Sequence, residues 1–103
     1  MLNDLAREIH QTARDKGWWE KERNFGESIA LAHSELSEAL EAWRVGTPAA
    51  STKKPEGWGI ELMDCIIRIL DLCAAYSLDA DSLIRWKMNY NKTRPYRHGG
   101  KRC

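Results

Sequence analysis

The feature that most constrains this chain is the segment from Ile60 to Ala74, which is apolar around most of a helical circumference. At 100° per residue its apolar side chains cover about two-thirds of the helix surface. The polar side chains form one narrow stripe, spaced three, four and three residues apart: Glu61, Asp64, Arg68 and Asp71. Since a helix this apolar must be packed on most sides, the segment predicts a largely buried helix of an all-α domain.

Hydrophobic periodicity predicts four helices in all. We expect them over about Asn3 to Lys16, Asn24 to Gly46, Glu56 to Tyr76, and Asp79 or Asp81 to Lys92. Asn24 is a candidate N-cap, and a glycine stops each of the first two helices. With 103 residues, we expect a single domain at 1–95 and a flexible basic tail at 96–103. Almost no alternating pattern occurs, so no sheet is predicted.

Composition narrows the functional class. The formal net charge is only +1, which argues against strong nucleic-acid binding, although the chain is basic without acids from Arg85 onward. No apolar run approaches the roughly 20 residues of a membrane helix, and we expect no signal peptide and no membrane association. The three cysteines form no CxxC pair and are expected to be reduced thiols, which predicts a cytoplasmic protein.

Two pairs of acids carry the candidate chemistry. Glu35 and Glu38 lie at the edge of the apolar arc of the second helix, with the i, i+3 spacing that Glu61 and Asp64 have on the third. Carboxylates crowded together repel, and a cation between the helices would offset that repulsion. Oxygen ligands without His or Cys favour Mg²⁺ or Mn²⁺. On spacing alone, the commoner explanation is a solvated acidic face on amphipathic helices.

The order of these motifs resembles the ExxE…ExxD signature of the MazG-like all-α nucleoside triphosphate pyrophosphohydrolases. The resemblance covers roughly residues 18 to 101. The matching stretches are Ser34 to Glu38, the run Ile60 to Ile67, the K-x-x-x-N-x-x-R stretch Lys87 to Arg94, and the tail His98 to Lys101.

This resemblance implies Mg²⁺-dependent hydrolysis of (deoxy)nucleoside triphosphates to monophosphate and pyrophosphate, which removes unwanted nucleotides. It also implies a four-helix bundle assembled as a homodimer or homotetramer. The metal ligands would be Glu35, Glu38, Glu61 and Asp64, one of which could also act as the base. The triphosphate would be held by Lys87, Asn91 and Arg94. Ser34 stands where many members have another acid, a departure that concerns a second metal or an outer-shell carboxylate, and Glu41 is the candidate to replace that acid.

Other residues have two possible roles. Trp18 and Trp19 precede the second helix, where an aromatic ring would stack on the base or else pack in the core or an interface. We expect Trp43 in the core and Arg68 paired with a carboxylate. His10 and His33 are expected to be solvated. Two tail residues could close over the phosphates: His98 and Lys101.

Two alternatives to this enzyme remain at the level of sequence. One is a non-catalytic helical interaction module whose acidic stripe docks a basic partner or whose basic tail binds nucleic acid. The other is a phosphohydrolase that uses the same carboxylates on a different phosphorylated substrate. Base and sugar preference, the number of metals, the size of the oligomer and whether subunits share a site are left open.

Overall fold

A computed structural model describes residues 1–51 and 53–97. It contains four helices: α1 (Leu2–Asp15), α2 (Phe25–Arg44), α3 (Trp58–Ala75) and α4 (Ala80–Thr93). Within the described residues there is no strand. The prediction of an all-α chain with four helices is therefore confirmed. The predicted tail from His98 onward, with the candidate Lys101, lies outside the described residues.

Local chemistry explains where α2 begins and ends and where α3 begins. The Oδ1 atom of Asn24 accepts a hydrogen bond from the backbone N–H of Glu27 at 3.1 Å, so Asn24 is the N-cap of α2. Gly46 follows the helix with φ of +81°, a backbone conformation that glycine adopts without strain. Gly57, at the start of α3, has φ of +126°, and a Cβ there would lie 2.3 Å from the carbonyl oxygen of Pro48. Only glycine fits that position.

The N-termini of α1 and α4 cap each other. The carboxylate of Asp81 accepts hydrogen bonds from the backbone N–H of Leu2 at 2.7 Å and of Asn3 at 3.2 Å. In return, Oδ1 of Asn3 accepts from the backbone N–H of Ala80 at 2.8 Å. Each helix thus supplies acceptors for backbone donors that helix ends leave unpaired. This reciprocal pairing sets the direction in which α4 leaves the bundle.

α3 is the centre of the fold and packs against both α2 and α1, whereas the main contact of α4 is a small one with α1. Among the described residues, the buried apolar side chains are few and mostly small: Ala6, Ala39, Cys65 and Leu70. The expectation of a core position for Trp43 is wrong, since Trp43 is 64% exposed. Its ring meets that of Trp58, at the start of α3, in an edge-to-face contact with 5.2 Å between the ring centroids.

The chain exposes more surface than a monomer of its size should. Its accessible surface is 8383 Å², whereas about 5,900 Å² is expected for a folded monomer of this mass. Its radius of gyration is 16.3 Å, against about 13 Å for a compact domain of this length. Much of the excess lies on apolar side chains of α2, α3 and α4.

None of the helices in the described part of the chain is both long enough and apolar enough to cross a membrane.

Candidate metal centre and adjoining cavity

Three of the four predicted carboxylates meet where α2 passes α3. One carboxylate oxygen from each of Glu35, Glu38 and Glu61 lies within 4.8 Å of the other two. Glu35 is buried, Glu61 is half-buried and Glu38 is exposed. The i, i+3 spacing on α2 puts its two acids on one side of the helix, and the packing of α2 on α3 brings Glu61 to them.

Arg68 compensates part of this negative charge. Its Nε–H donates to Oε1 of Glu35 at 2.7 Å, which is the carboxylate pairing expected for this residue. Arg68 lies on α3, seven residues after Glu61, so the same helix supplies one acid of the cluster and the cation that faces it. Glu35 is thereby fixed as the buried member of the cluster, with one oxygen engaged by Arg68.

The three carboxylates differ in proton affinity. Burial and the hydrogen bond with Glu35 raise the pKa of Glu61 to about 7, and the charge of Glu38 adds to this effect. The hydrogen bond with Glu35 also raises the pKa of Glu38. Burial is the largest single effect on Glu35 and opposes its ionisation, but the hydrogen bonds with Arg68, Glu38 and Glu61 together outweigh it, so the pKa of Glu35 falls below its usual value. Without a cation, the cluster therefore retains a proton near neutral pH.

The donor set fits a hard divalent cation. All three side chains offer carboxylate oxygens, which are the ligands that Mg²⁺ and Mn²⁺ prefer. A bound cation would take the place of the retained proton. Asp64, the fourth predicted ligand, is half-buried one turn after Glu61, and its charge contributes to the raised pKa of Glu61.

A cavity of about 720 Å³ opens beside the carboxylates. Glu35, Asp64 and Arg68 line one side of it, and the apolar side chains of α1 line another. Its volume lies within the range of pockets that hold small molecules. A cavity whose wall combines apolar side chains with acids and cations suits a ligand that has both an apolar part and a charged part.

Asp71 is the residue whose role the sequence did not reveal. It is only 8% exposed, and it accepts hydrogen bonds from Nε1 of Trp19 at 3.0 and 3.1 Å. Nδ1 of His10 lies 2.7 Å from its Oδ1 atom, and Nη1 of Arg23 lies 3.9 Å from Oδ2. The position of Asp71 on the narrow polar stripe of α3 was the available signal, because a polar side chain on so apolar a helix must find partners.

The expectation that His10 is solvated is wrong. Its ring is held between Asp71 and the edge of Trp19, with ring centroids 5.2 Å apart. Periodicity placed His10 on a polar face of α1, but the packing of α1 on α3 turns that position toward Asp71. His33, by contrast, is exposed as expected.

The two neighbouring tryptophans lie in different places. Trp18 lines the large cavity and is 67% exposed, whereas Trp19, the candidate for stacking on the base, has its N–H bound to Asp71. The guanidinium of Arg23 lies 5.0 Å from the ring centroid of Trp19 and also lines the large cavity. Trp19 therefore supports the wall that Trp18 and Arg23 present to the cavity.

The predicted phosphate-binding residues lie on α4, apart from this cavity. Lys87 and Asn91 are exposed and Arg94, just past the end of the helix, is half-buried. None of these three lines the cavity beside Glu35. The amine of Lys87 lies 5.0 Å from the ring centroid of Tyr90. Within one chain, the cationic helix and the carboxylates thus remain separate.

Comparison of the chain with protein-family models, with curated proteins and with solved structures finds no match.

Proposed function

We propose that this protein is a Mg²⁺-dependent nucleoside triphosphate pyrophosphohydrolase of the MazG-like class, with Mn²⁺ as a possible substitute. The observation that carries the proposal is the meeting of Glu35, Glu38 and Glu61 from two helices, beside a cavity large enough for a nucleotide. The order of the motifs in the sequence supports it independently. Glu35, Glu38, Glu61 and Asp64 are assigned as metal ligands.

The reaction adds water across the bond between the α and β phosphates. A new P–O bond forms to the water oxygen, the bridging P–O bond breaks, and pyrophosphate leaves with that bridging oxygen. A bound metal would neutralise part of the phosphate charge and lower the pKa of the attacking water. A carboxylate of the cluster accepts the proton that the water loses.

The carboxylates would bind the metal and the phosphates, and the cavity beside them would bind the base and the sugar. Apolar side chains such as Leu5 and Ile9 suit the faces of a base, and the edge of the ring would meet polar groups. Arg23 and Arg68 line the same cavity as fixed cations that suit an anionic ligand. We propose that the base and sugar enter this cavity and that the triphosphate lies toward the carboxylates.

We further propose that the protein acts as a homodimer or homotetramer in the cytoplasm, where it would remove unwanted nucleotides. The excess exposed surface supports an oligomer, because a stable homodimer hides surface of this order. Cys65 is buried and Cys73 half-buried, and both are free thiols, which suits a reducing compartment.

The decisive experiment supplies ribo- and deoxyribonucleoside triphosphates to the purified protein, with Mg²⁺ or with chelator. Products are separated by ion-exchange chromatography. We expect monophosphate and pyrophosphate in equal amounts, only when the metal is present. Release of single phosphates would instead indicate a different phosphohydrolase, and lack of turnover with either metal would contradict the proposal.

A second candidate function is a non-catalytic interaction module, which the exposed apolar faces of α2 and α4 favour. The two candidates differ in ligand binding. A nucleotide that raises the melting temperature only when Mg²⁺ is present supports the enzyme. A melting temperature that responds to neither nucleotide nor metal supports the module.

A further inference from the structure

We propose that a small cavity next to the large one holds a single ordered water molecule, which joins the hydroxyl of Ser28 to Arg23, Arg68 and Asp71. Ser28 would then be a positioning residue, because it acts on the large cavity through this water and touches no substrate. The water site follows from packing and hydrogen bonding alone, whereas its effect on nucleotide binding rests on the proposed function.

The first observation is the state of the Ser28 hydroxyl. Ser28 is the fourth residue of α2 and is only 9% exposed. Within residues 1–51 and 53–97, its Oγ is a buried side-chain atom for which the chain supplies no hydrogen-bond partner. The large majority of buried polar side-chain atoms bond to protein or to ordered water, because an unpaired one costs free energy. The hydroxyl therefore requires a partner from outside the chain.

The second observation is a cavity of matching size beside this hydroxyl. Its volume is about 20 Å³, and one water needs at least about 10–15 Å³. A phosphate group or an organic molecule does not fit such a volume. The cavity is lined mainly by polar and charged side chains: Trp19, Arg23, Ser28, Arg68, Asp71 and Leu72.

Arg23 and Asp71 indicate where the water would lie. Nη1 of Arg23 is 3.9 Å from Oδ2 of Asp71, which is too long for a direct hydrogen bond. Polar groups at such a separation are commonly bridged by a water. A water here can accept from the guanidinium and donate to the carboxylate, and the hydroxyl of Ser28 can do either.

Arg68 supplies a fourth partner. Its Nε–H donates to Glu35, and the Nη groups of the same guanidinium form no other hydrogen bond within the part of the chain that the structure describes. Buried waters commonly make about two to four hydrogen bonds. Ser28, Arg23, Arg68 and Asp71 together satisfy that requirement.

The charges around the cavity favour water over an ion. The guanidiniums of Arg23 and Arg68 repel a cation, and the carboxylate of Asp71 repels an anion. A chloride ion is also larger than a water molecule. A neutral molecule that both donates and accepts matches this mixed set of partners.

The position of the water gives it a consequence for the large cavity. Arg23, Arg68 and Asp71 line both cavities, so they form a shared wall. A water bonded to all three would hold their side chains in fixed positions toward the nucleotide. It would also connect Arg68, the partner of Glu35, to the ion pair of Arg23 and Asp71.

The first test is a high-resolution crystal structure of the protein, from crystals grown with sodium bromide as the only halide. We expect one ordered density peak within about 3.2 Å of Oγ of Ser28 and of a polar atom of Asp71, Arg23 or Arg68, without anomalous signal at the bromine edge. An anomalous peak would identify an anion site and overturn the proposal. A cavity without density would overturn it as well.

The second test compares Ser28→Ala with Ser37→Ala, an exposed serine on the same helix that controls for helix propensity. If the hydroxyl is bonded to water, we expect Ser28→Ala to melt about 4–8 °C below the control at equal protein concentration. If the hydroxyl has no partner, its removal would instead raise the melting temperature, which would overturn the water site.

Steady-state kinetics of Ser28→Ala test the positioning role. We expect KM for the nucleotide to rise about threefold or more with kcat nearly unchanged, because the water orders the wall and takes no part in the chemistry. An unchanged KM in a variant with a lowered melting temperature would overturn this role. An inactive wild-type protein would refute the proposed function, and the density and the melting temperatures would still decide the water site.

Discussion

Arg68 donates its Nε–H to Oε1 of Glu35 at 2.7 Å, across the interface between α3 and α2. This contact places a fixed positive charge beside the buried member of the carboxylate cluster. It contributes to the lowered pKa of Glu35, whereas burial and the hydrogen bond with Glu35 raise the pKa of Glu61 to about 7. The cluster is therefore partly neutralised by the protein itself.

The Arg68→Met substitution should destabilise the metal-free protein. It leaves the buried carboxylate of Glu35 without its donor, and we expect a loss of about 1–3 kcal/mol, at the lower end because Arg68 is itself partly exposed. Urea unfolding in chelator measures the effect. Arg44→Met is the matched control, since Arg44 lies 3.9 Å from Glu41 on the surface and should matter little. Equal losses in the two variants would contradict the role of Arg68.

The metal-free protein should become less stable as the pH rises from 4.5 to about 7. In this window the folded chain holds a proton on Glu61 that the unfolded chain has already lost, so rising pH favours the unfolded chain. Glu38, whose pKa is also raised, acts in the same direction. Glu35, Asp79 and Asp81 have lowered pKa values and contribute stability that is lost only as the pH falls below this window.

Melting temperatures recorded across this pH range in chelator measure the effect. Glu61→Gln cannot ionise and should flatten the decline, whereas Glu41→Gln, on the exposed side of α2, should leave it unchanged. Saturating Mg²⁺ should also flatten it, because the cation replaces the proton. A decline that persists undiminished in Glu61→Gln would show that another group is responsible.

Glu38→Gln should remove activity without unfolding the protein. Glu38 is exposed, so its loss costs little packing, but it takes a charged oxygen from the proposed metal centre. We expect the hydrolysis rate to fall about a hundredfold or more, with partial recovery at high Mg²⁺ concentration. The assay is pyrophosphate release over a Mg²⁺ titration, with Glu27→Gln, an exposed acid in the first turn of α2, as the control. Wild-type turnover in Glu38→Gln would remove this residue from the site.

Asp71→Ala should weaken both the fold and substrate binding. It leaves the N–H of Trp19 and the ring of His10 without their acceptor in a buried place, which we expect to cost about 1–3 kcal/mol. Because Arg23 loses its ion-pair partner, the cavity wall should loosen and KM should rise more than kcat falls. Denaturant unfolding and steady-state kinetics measure the two effects. Asp15→Ala, at the exposed end of α1, is the control, and an unchanged KM in Asp71→Ala would limit Asp71 to a role in stability.

Much of the fold could be predicted because its signals are local. The four helices follow from periodicity, and the Asn24 cap and the Gly46 stop act within a few residues. The pairing of Arg68 with a carboxylate was also foreseeable, since Arg68 lies on the same narrow polar stripe as Glu61. The identities and spacing of the four predicted acids suggested a metal centre, and three of these acids lie together in the structure.

Other features depend on contacts between distant parts of the chain. Asp71 meets His10 across 61 residues and Trp19 across 52, and no local pattern encodes such pairings. Periodicity likewise suggested a buried Trp43, yet a helix face can only be buried if another element covers it.

Local residue order is enough to set which segments are helical and which faces are apolar, because backbone hydrogen bonds and side-chain periodicity act over a few residues. How those faces are used depends on the way the helices pack. The packing of α2 on α3 assembled the glutamates, the packing of α1 on α3 surrounded Asp71, and the pairing of Asn3 with the first turn of α4 directed the basic helix outward. These outcomes depend on the relative positions of whole helices, which residue spacing along one helix does not contain.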